Sequence, residues 1–153
     1  MSASRNTALT AAWQDALAAE HEAVFGYTLL GPQLTGAAQQ LAVACSNAHE
    51  SLRDATEQAM WQAGLTPVSP RADYPGLYPV PDAASARRLA ARLEQGCAAA
   101  WRFLYAQAAS APGPAATARR AEAQAALTAS AVRATKWRLL IDPHDATTAF
   151  PGI

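Results

Sequence analysis

The spacing of apolar and polar residues along the chain predicts four long helices, separated by segments rich in proline and glycine. The first apolar stripe recurs every three or four residues through Leu9, Trp13 and Leu17. Gly31-Pro32 is a helix stop and ends this stripe. Comparable stripes follow later in the chain, and Gly36 is an alternative start for the second helix. The predicted helices cover residues 7–31, 33–63, 83–110 and 115–140.

Residues 65–82 form a connection that contains too much proline to be helical. Fully extended, this connection spans roughly 55 to 60 Å, which exceeds the roughly 46 Å length of the second predicted helix. The connections are therefore short, long and short in order, which is typical of ferritin-like bundles. We predict one all-α domain over residues 1–153, a ferritin-like four-helix bundle with a long crossover between helices 2 and 3. The irregular tail, 141–153, carries Phe150 as its expected anchor onto the bundle.

The composition supports a helical protein and excludes several classes of partner. Hydrophobic residues make up 51% of the chain, and alanine, the strongest helix former, is the commonest of them. Twelve basic residues balance twelve acidic ones, so no net charge attracts nucleic acid or an acidic membrane. No run approaches the roughly 18 apolar residues of a membrane span. We expect a cytoplasmic protein in which Cys45 and Cys97 are small core residues.

A carboxylate lies on the apolar stripe of the first predicted helix, at Glu20. Buried acids are costly unless they are paired, hydrogen-bonded or bound to metal. Counting residues along the helices puts His49 at the same height in the bundle and Glu94 within about one turn of it. These three side chains are candidate ligands for one Fe, Mn or Zn ion. The alternative is a buried polar cluster in which His49 donates to Glu20, while Glu94 reaches solvent or an arginine such as Arg92 or Arg102.

A complete di-iron site needs more ligands than these helices supply. Such sites take a glutamate from each of two helices and a Glu-x-x-His pair from each of the other two. Here Ser46 stands where the second helix would need its bridging acid. The fourth predicted helix has no histidine, and its residues 127–131 include no usual metal ligand. The sequence therefore argues against a di-metal centre.

The remaining polar and aromatic candidates favour structural roles. His21 is expected at a solvated position, with an outer role beside the site as the alternative. Glu50 and Asp54 are expected on an exposed charged face. Each predicted helix contains one tryptophan: Trp13, Trp61, Trp101 and Trp137. These side chains are expected to fill the core, to line a flat apolar pocket at one end of the bundle, or to form a dimer face. No catalytic triad or phosphate-binding loop is visible.

Several segments together resemble one uncharacterised family of ferritin-like proteins, a domain of unknown function found mainly in high-GC Gram-positive bacteria. The segments that carry the resemblance run from Ala18 to Tyr27, through Ala48-His49 with Arg53-Asp54, Pro79 to Asp82, Leu89 to Glu94, Ala131 to Arg133 with Trp137-Arg138, and Ala149 to Gly152. The resemblance implies the ferritin-like fold. It implies no established activity and no catalytic residues.

These observations predict a non-enzymatic binding or interaction protein whose specific function the sequence does not give. We expect a homodimer that binds a protein or a small apolar ligand, with neither nucleic acid nor membrane as a partner. The alternative is a redox or metal-binding protein that holds one divalent ion through Glu20, His49 and Glu94.

Overall fold

The computed structural model describes residues 2–147 and 149–152, with the side chains of residues 2 and 3 left out. Met1, Thr148 and Ile153, which belong to the predicted domain and its tail, lie outside the described residues. The described chain contains four long helices and no strand, which confirms the prediction of an all-α four-helix protein. The helices are α1 (Ser2–Leu30), α2 (Gly36–Gln62), α3 (Ala83–Ser110) and α4 (Pro114–Ile141).

Local sequence signals set most of the helix ends. The second helix starts at Gly36, the later of the two predicted positions, and ends before Gly64, whose φ of 74° is left-handed and favours glycine. Asp82 caps α3, because its side chain accepts from the amide of Ser85 while the Ser85 hydroxyl bonds back. The first helix begins several residues before the predicted start at Thr7.

Two apolar clusters fill the two ends of the bundle. One contains Leu9 and Trp13 from α1 together with Met60, Trp101 and Ala116. The other is built around the C-terminal half of α1, the N-terminal halves of α2 and α3, and the C-terminal part of α4. Alanine is the commonest of the buried residues described, so the helix backbones approach closely. A polar layer lies between the two clusters.

The connection between α2 and α3 packs along α1. The Gln14 side chain donates to the Thr66 carbonyl at 2.8 Å and accepts from the Val68 amide at 2.7 Å. Further along the connection, the ring centroid of Tyr74 lies 5.1 Å from that of Phe25 in α1. These contacts fix the connection against the bundle despite its irregular backbone.

Two aromatic side chains that were expected to pack into the protein are exposed, while a dimer face, the other role considered for Trp61, stays a prediction. Trp61 does not join the other three tryptophans in the core, because it lies on the outer side of α2 and is 62% exposed. Phe150 does not anchor the tail, because it is 71% exposed. The tail contacts the bundle at Gly152 instead. A Cβ at Gly152 would lie 2.8 Å from the carbonyl oxygen of Ala98, so only glycine permits this approach.

None of the helices in the described chain combines the length and the apolar character that a membrane crossing requires.

Candidate functional site

The polar layer is centred on a fully buried pair, Glu20 of α1 and His49 of α2. The Nδ1 atom of His49 lies 2.6 Å from Oε2 of Glu20. On the other edge of the ring, Nε2 lies 3.0 Å from Oε1 of Glu94, which α3 contributes. The structure therefore brings together all three residues singled out in the sequence, with the imidazole between the two carboxylates.

Glu94 is held by three donors from three other helices. Its Oε1 atom accepts from His49 and from the Tyr27 hydroxyl, the latter at 2.7 Å. Its Oε2 atom accepts from Nε of Arg133 at 2.9 Å. The sequence-based alternative had Glu94 reach solvent or an arginine such as Arg92 or Arg102. Glu94 does pair with an arginine, but that arginine is Arg133, and Glu94 is fully buried. Arg92 instead donates to the carbonyl of Gly76.

Two buried indoles complete the hydrogen bonds of the cluster. Trp101 donates to Oε1 of Glu20 at 2.7 Å. Trp137 donates to the hydroxyl of Tyr27 at 2.9 Å. We call these seven residues the polar core: Glu20, Tyr27, His49, Glu94, Trp101, Arg133 and Trp137. Each donor and acceptor that these contacts involve has a partner, as buried polar groups require.

The electrostatics of the polar core favour a charged imidazole. Burial alone would lower the pKa of His49, but the hydrogen bonds and charges of Glu20 and Glu94 outweigh burial and raise it to about 9. Burial likewise opposes ionisation of Glu94, and the contacts with His49 and Arg133 nevertheless lower its pKa. Two acidic side chains, Glu20 and Glu94, thus face two basic ones, His49 and Arg133.

Sequence spacing accounts for part of the polar core. Trp101 follows Glu94 by two helical turns and therefore shares its face of α3. Arg133 precedes Trp137 by one turn on α4, and this spacing identifies the face that turns inward. Counting along α4 placed residues 127–131 at the level of the site, and buried Ser130 of this range accepts from Arg133 at 3.2 Å. Arg133 lies two residues beyond the range, and its long side chain reaches Glu94.

The two carboxylates contact opposite nitrogens of His49. A single metal ion bonds to one imidazole nitrogen, so in this arrangement such an ion would have one of the two carboxylates beside it. An ion held jointly by Glu20, His49 and Glu94 requires one of these side chains to change rotamer. The joint site stays a prediction.

The structure also gives the positions of the other polar residues considered in the sequence analysis. His21 is buried rather than solvated, because the connection between α2 and α3 covers it. Its Nε2 atom lies 2.9 Å from the Val68 carbonyl and 3.4 Å from Glu57. Glu50 and Asp54 lie on the exposed face of α2, as expected. Both cysteines are buried and free, also as expected.

A cleft of about 350 Å³ opens at one end of the bundle. Trp13, Leu9 and Leu65 line it, and the guanidinium of Arg119 stacks 3.9 Å above the Trp13 ring. Its volume is at the lower end of the range for small-molecule sites. Binding of a small apolar ligand stays a prediction.

Comparisons with known proteins assign the chain to a family. Residues 12–153 match the family described as a domain of unknown function, DUF4439. The chain belongs to this family. This assignment confirms that the chain belongs to an uncharacterised family.

One solved structure is similar over most of the chain. It is the crystal structure of a conserved hypothetical protein, rv2844, from Mycobacterium tuberculosis. The two sequences are 33% identical, and the match covers 88% of this chain and 97% of that chain with a TM-score of 0.78. No curated protein matches this DUF4439 chain. The comparisons therefore support the family and a common fold, and they bring no activity with them.

Proposed function

We propose that this DUF4439 protein is a non-enzymatic interaction protein, built on a ferritin-like bundle, that associates with a second copy of itself. Two observations carry the proposal: the acidic and basic side chains of the polar core pair with each other, and exposed apolar residues lie beside the groove between α3 and α4.

The donor set of the polar core does not fit a di-metal centre. Two divalent ions would add four positive charges to a layer in which Glu20 and Glu94 already face the cations of His49 and Arg133. Arg133 occupies the side of Glu94 where a second ion would need a ligand. An arginine donates hydrogen bonds and cannot ligate a cation. Oxygen chemistry at a pair of metals is therefore not what this layer supports.

The helix connectivity of a ferritin-like bundle is supported by which helix ends meet in each of the two apolar clusters. The start of α1 clusters with the ends of α2 and α3, and its end clusters with the starts of both. Both helices therefore run opposite to α1 and parallel to each other. Two consecutive parallel helices require a connection that returns along the bundle. The residues between them contact α1 successively at Gln14, His21 and Phe25, which fits such a crossover.

An exposed apolar surface flanks the groove between α3 and α4. The groove has a volume of about 350 Å³, and Leu127, Val132 and Pro151 are among the residues that line it. Val132 is 50% exposed, and Phe150 next to Pro151 is more exposed still. We call Leu127, Val132, Pro151 and the neighbouring Phe150 the α3–α4 face.

A second copy of the chain is the partner that this surface fits best. The protein has no net charge, so two copies do not repel each other over long range. In a two-fold dimer, the same patch is present on both subunits and must be self-complementary. Here each copy offers both a groove and an exposed aromatic side chain that can enter it. A stable dimer buries roughly 1,200 to 2,000 Å² in total, so the contact must extend along both helices.

The test is the oligomeric state of the wild type and of two matched variants. Val132→Asp puts a charge into the proposed interface, whereas Val43→Asp puts the same charge on α2 at a valine that is 56% exposed. We expect a dimeric wild type and a dimeric Val43→Asp. Val132→Asp should weaken association at least tenfold, because the buried carboxylate would lack a partner. Sedimentation velocity over a wide concentration range measures this.

A wild type that stays monomeric over that range would overturn the self-association. Equal weakening by Val43→Asp would place the contact elsewhere and overturn the role of the α3–α4 face. The non-enzymatic part has its own test, which is metal content and oxygen consumption of protein purified without a tag or a chelator. Two metal ions per chain with oxygen consumption would refute it.

A second candidate function is favoured by the meeting of Glu20, His49 and Glu94 in one layer. In this candidate a single Fe, Mn or Zn ion binds these residues and supports redox or simple metal binding. Elemental analysis of the wild type and of Glu20→Ala tests it. One ion per chain that is lost in the variant supports the candidate, and an equal, substoichiometric content in both proteins refutes it.

A further inference from the structure

Cys97 lies beside the central pair of the polar core. One carboxylate oxygen of Glu20, a ring nitrogen of His49 and the Sγ atom of Cys97 all lie within 4.8 Å of one another, and all three residues are buried. Neighbouring ligand atoms in a tetrahedral zinc site are roughly 3.3 to 3.8 Å apart, given metal–ligand distances of about 2.0 to 2.3 Å. Small side-chain shifts therefore suffice to place one ion among the three atoms.

We propose that Glu20, His49 and Cys97 form a binding site for one Zn²⁺ ion. A carboxylate, an imidazole and a thiolate are each established zinc ligands, and a thiolate favours Zn²⁺ over Mg²⁺ or Ca²⁺. This site differs from the predicted one in using Cys97 rather than Glu94. It does not depend on the α3–α4 face, so either proposal can fail without the other.

Glu94 has the orienting role that a zinc-bound histidine normally requires. Histidine ligands usually donate their second ring N–H to a carboxylate or carbonyl, which fixes the ring and the tautomer. Here Nε2 of His49 lies 3.0 Å from Glu94, and Glu94 is itself held by Tyr27 and Arg133. The Nδ1 atom, on the side of Glu20, remains as the metal ligand.

A cleft gives the proposed site a route to solvent. It has a volume of about 260 Å³ and lies between α1, α3 and the short turn Pro75–Leu77. Cys97 lines this cleft together with Ala19, Glu22 and Gly96. Glu20 and His49 do not line this cleft, so an ion that enters here meets Cys97 before the other two ligands.

Binding of the ion exchanges protons for metal without a change in buried charge. The ion displaces the proton on Nδ1 of His49 and the thiol proton of Cys97, and both protons leave to solvent. One divalent cation enters and two protons depart. The charges of Glu94 and Arg133 are untouched, so the net charge of the layer is unchanged.

The experiment uses the full-length, untagged protein after its metals have been removed with a chelator. Co²⁺ replaces Zn²⁺ because it takes the same tetrahedral ligands and absorbs light. We expect one Co²⁺ per chain, a thiolate-to-cobalt charge-transfer band in the near ultraviolet, and displacement of that band by one equivalent of Zn²⁺. Failure of the wild type to bind one ion per chain, or binding without the thiolate band, would overturn the proposal.

Three variants assign the ligands. The chain has two cysteines, so Cys45→Ser is the matched control and should keep both the band and the affinity. Cys97→Ser should lose the band and weaken binding at least tenfold. Glu94→Gln should keep the band and weaken binding roughly 10- to 100-fold, as removal of an orienting partner does.

Loss of the band in Cys45→Ser, or its persistence in Cys97→Ser, would overturn the assignment. Circular dichroism must first show that each variant is helical. If Cys97→Ser does not fold, the wild type and Cys45→Ser still decide. A thiolate-to-cobalt band in both the wild type and Cys45→Ser can come only from Cys97. Absence of the band from the wild type refutes the site.

Discussion

Replacement of Glu20 by alanine tests whether the polar core holds the bundle together. The carboxylate of Glu20 accepts from Nδ1 of His49 at 2.6 Å and from Nε1 of Trp101 at 2.7 Å. Both donors are fully buried, and no water can replace the lost acceptor without entering the core. The variant therefore leaves a buried imidazolium with one carboxylate fewer and an indole N–H without a partner.

The expected loss of stability is large for a single substitution. Removal of one partner from a buried ion pair costs about 3 to 5 kcal/mol. An unpaired buried donor such as the indole costs about 1 to 3 kcal/mol. The two effects share one side chain and do not simply add. We expect the free energy of unfolding to fall by roughly 3 to 5 kcal/mol, out of the roughly 5 to 15 kcal/mol of a typical domain.

Urea unfolding at neutral pH, followed by far-ultraviolet circular dichroism, measures this loss. Glu50→Ala is the control, because Glu50 is an exposed glutamate next to His49 in α2. Glu50→Ala should change the free energy of unfolding by no more than about 0.5 kcal/mol. A loss below about 1 kcal/mol in Glu20→Ala, or equal losses in the two variants, would show that the pair of Glu20 and His49 does not stabilise the fold.

Two further predictions follow from the same packing. The pKa of His49 is raised from 6.5 to about 9 on folding, so its contribution is complete below pH 6.5 and is lost as the pH rises through 9. Urea unfolding should show roughly 3 kcal/mol less stability above pH 9, and His49→Gln should remove most of this dependence. Gly26→Ala should destabilise by about 1 to 3 kcal/mol, because its Cβ would clash with Leu93. Gly96→Ala, also within a helix but with open space around it, should stabilise by about 0.5 to 1 kcal/mol, and the opposite order in thermal unfolding would contradict both.

The fold was predictable because its signals are local. Gly64, Asp82 and Gly113 end or start helices through their own backbone or side-chain chemistry, and each is visible in the sequence. The exposure of Trp61 and Phe150 was not predictable in this way. Both follow apolar patterns, but burial also depends on whether a neighbouring element covers the position. Trp61 is left largely uncovered by the residues that the structure describes, and the tail turns its backbone rather than Phe150 toward α3.

The polar core was predictable only in part. Glu20 interrupts the apolar stripe of its helix, so periodicity identified it. His49 and Glu94 were identified by their similar heights along the predicted helices. Trp101 and Trp137 follow their stripes and therefore read as ordinary core residues, although each also donates a hydrogen bond. A hydrogen bond between distant helices depends on the rotation of each helix, and the sequence of one helix does not encode the rotation of another.

Arg133 shows why the function of the layer had to be argued from geometry. A search for metal ligands passes over arginine, since a guanidinium cannot bind a cation. Yet the charge of Arg133 bears on what the layer can hold, because Arg133 pairs with Glu94 and leaves Glu20 as the carboxylate that would face an ion beside His49. A second divalent ion would meet the fixed positive charge of this guanidinium. The same residue thus argues against a di-metal centre and limits the proposed zinc site to Glu20, His49 and Cys97.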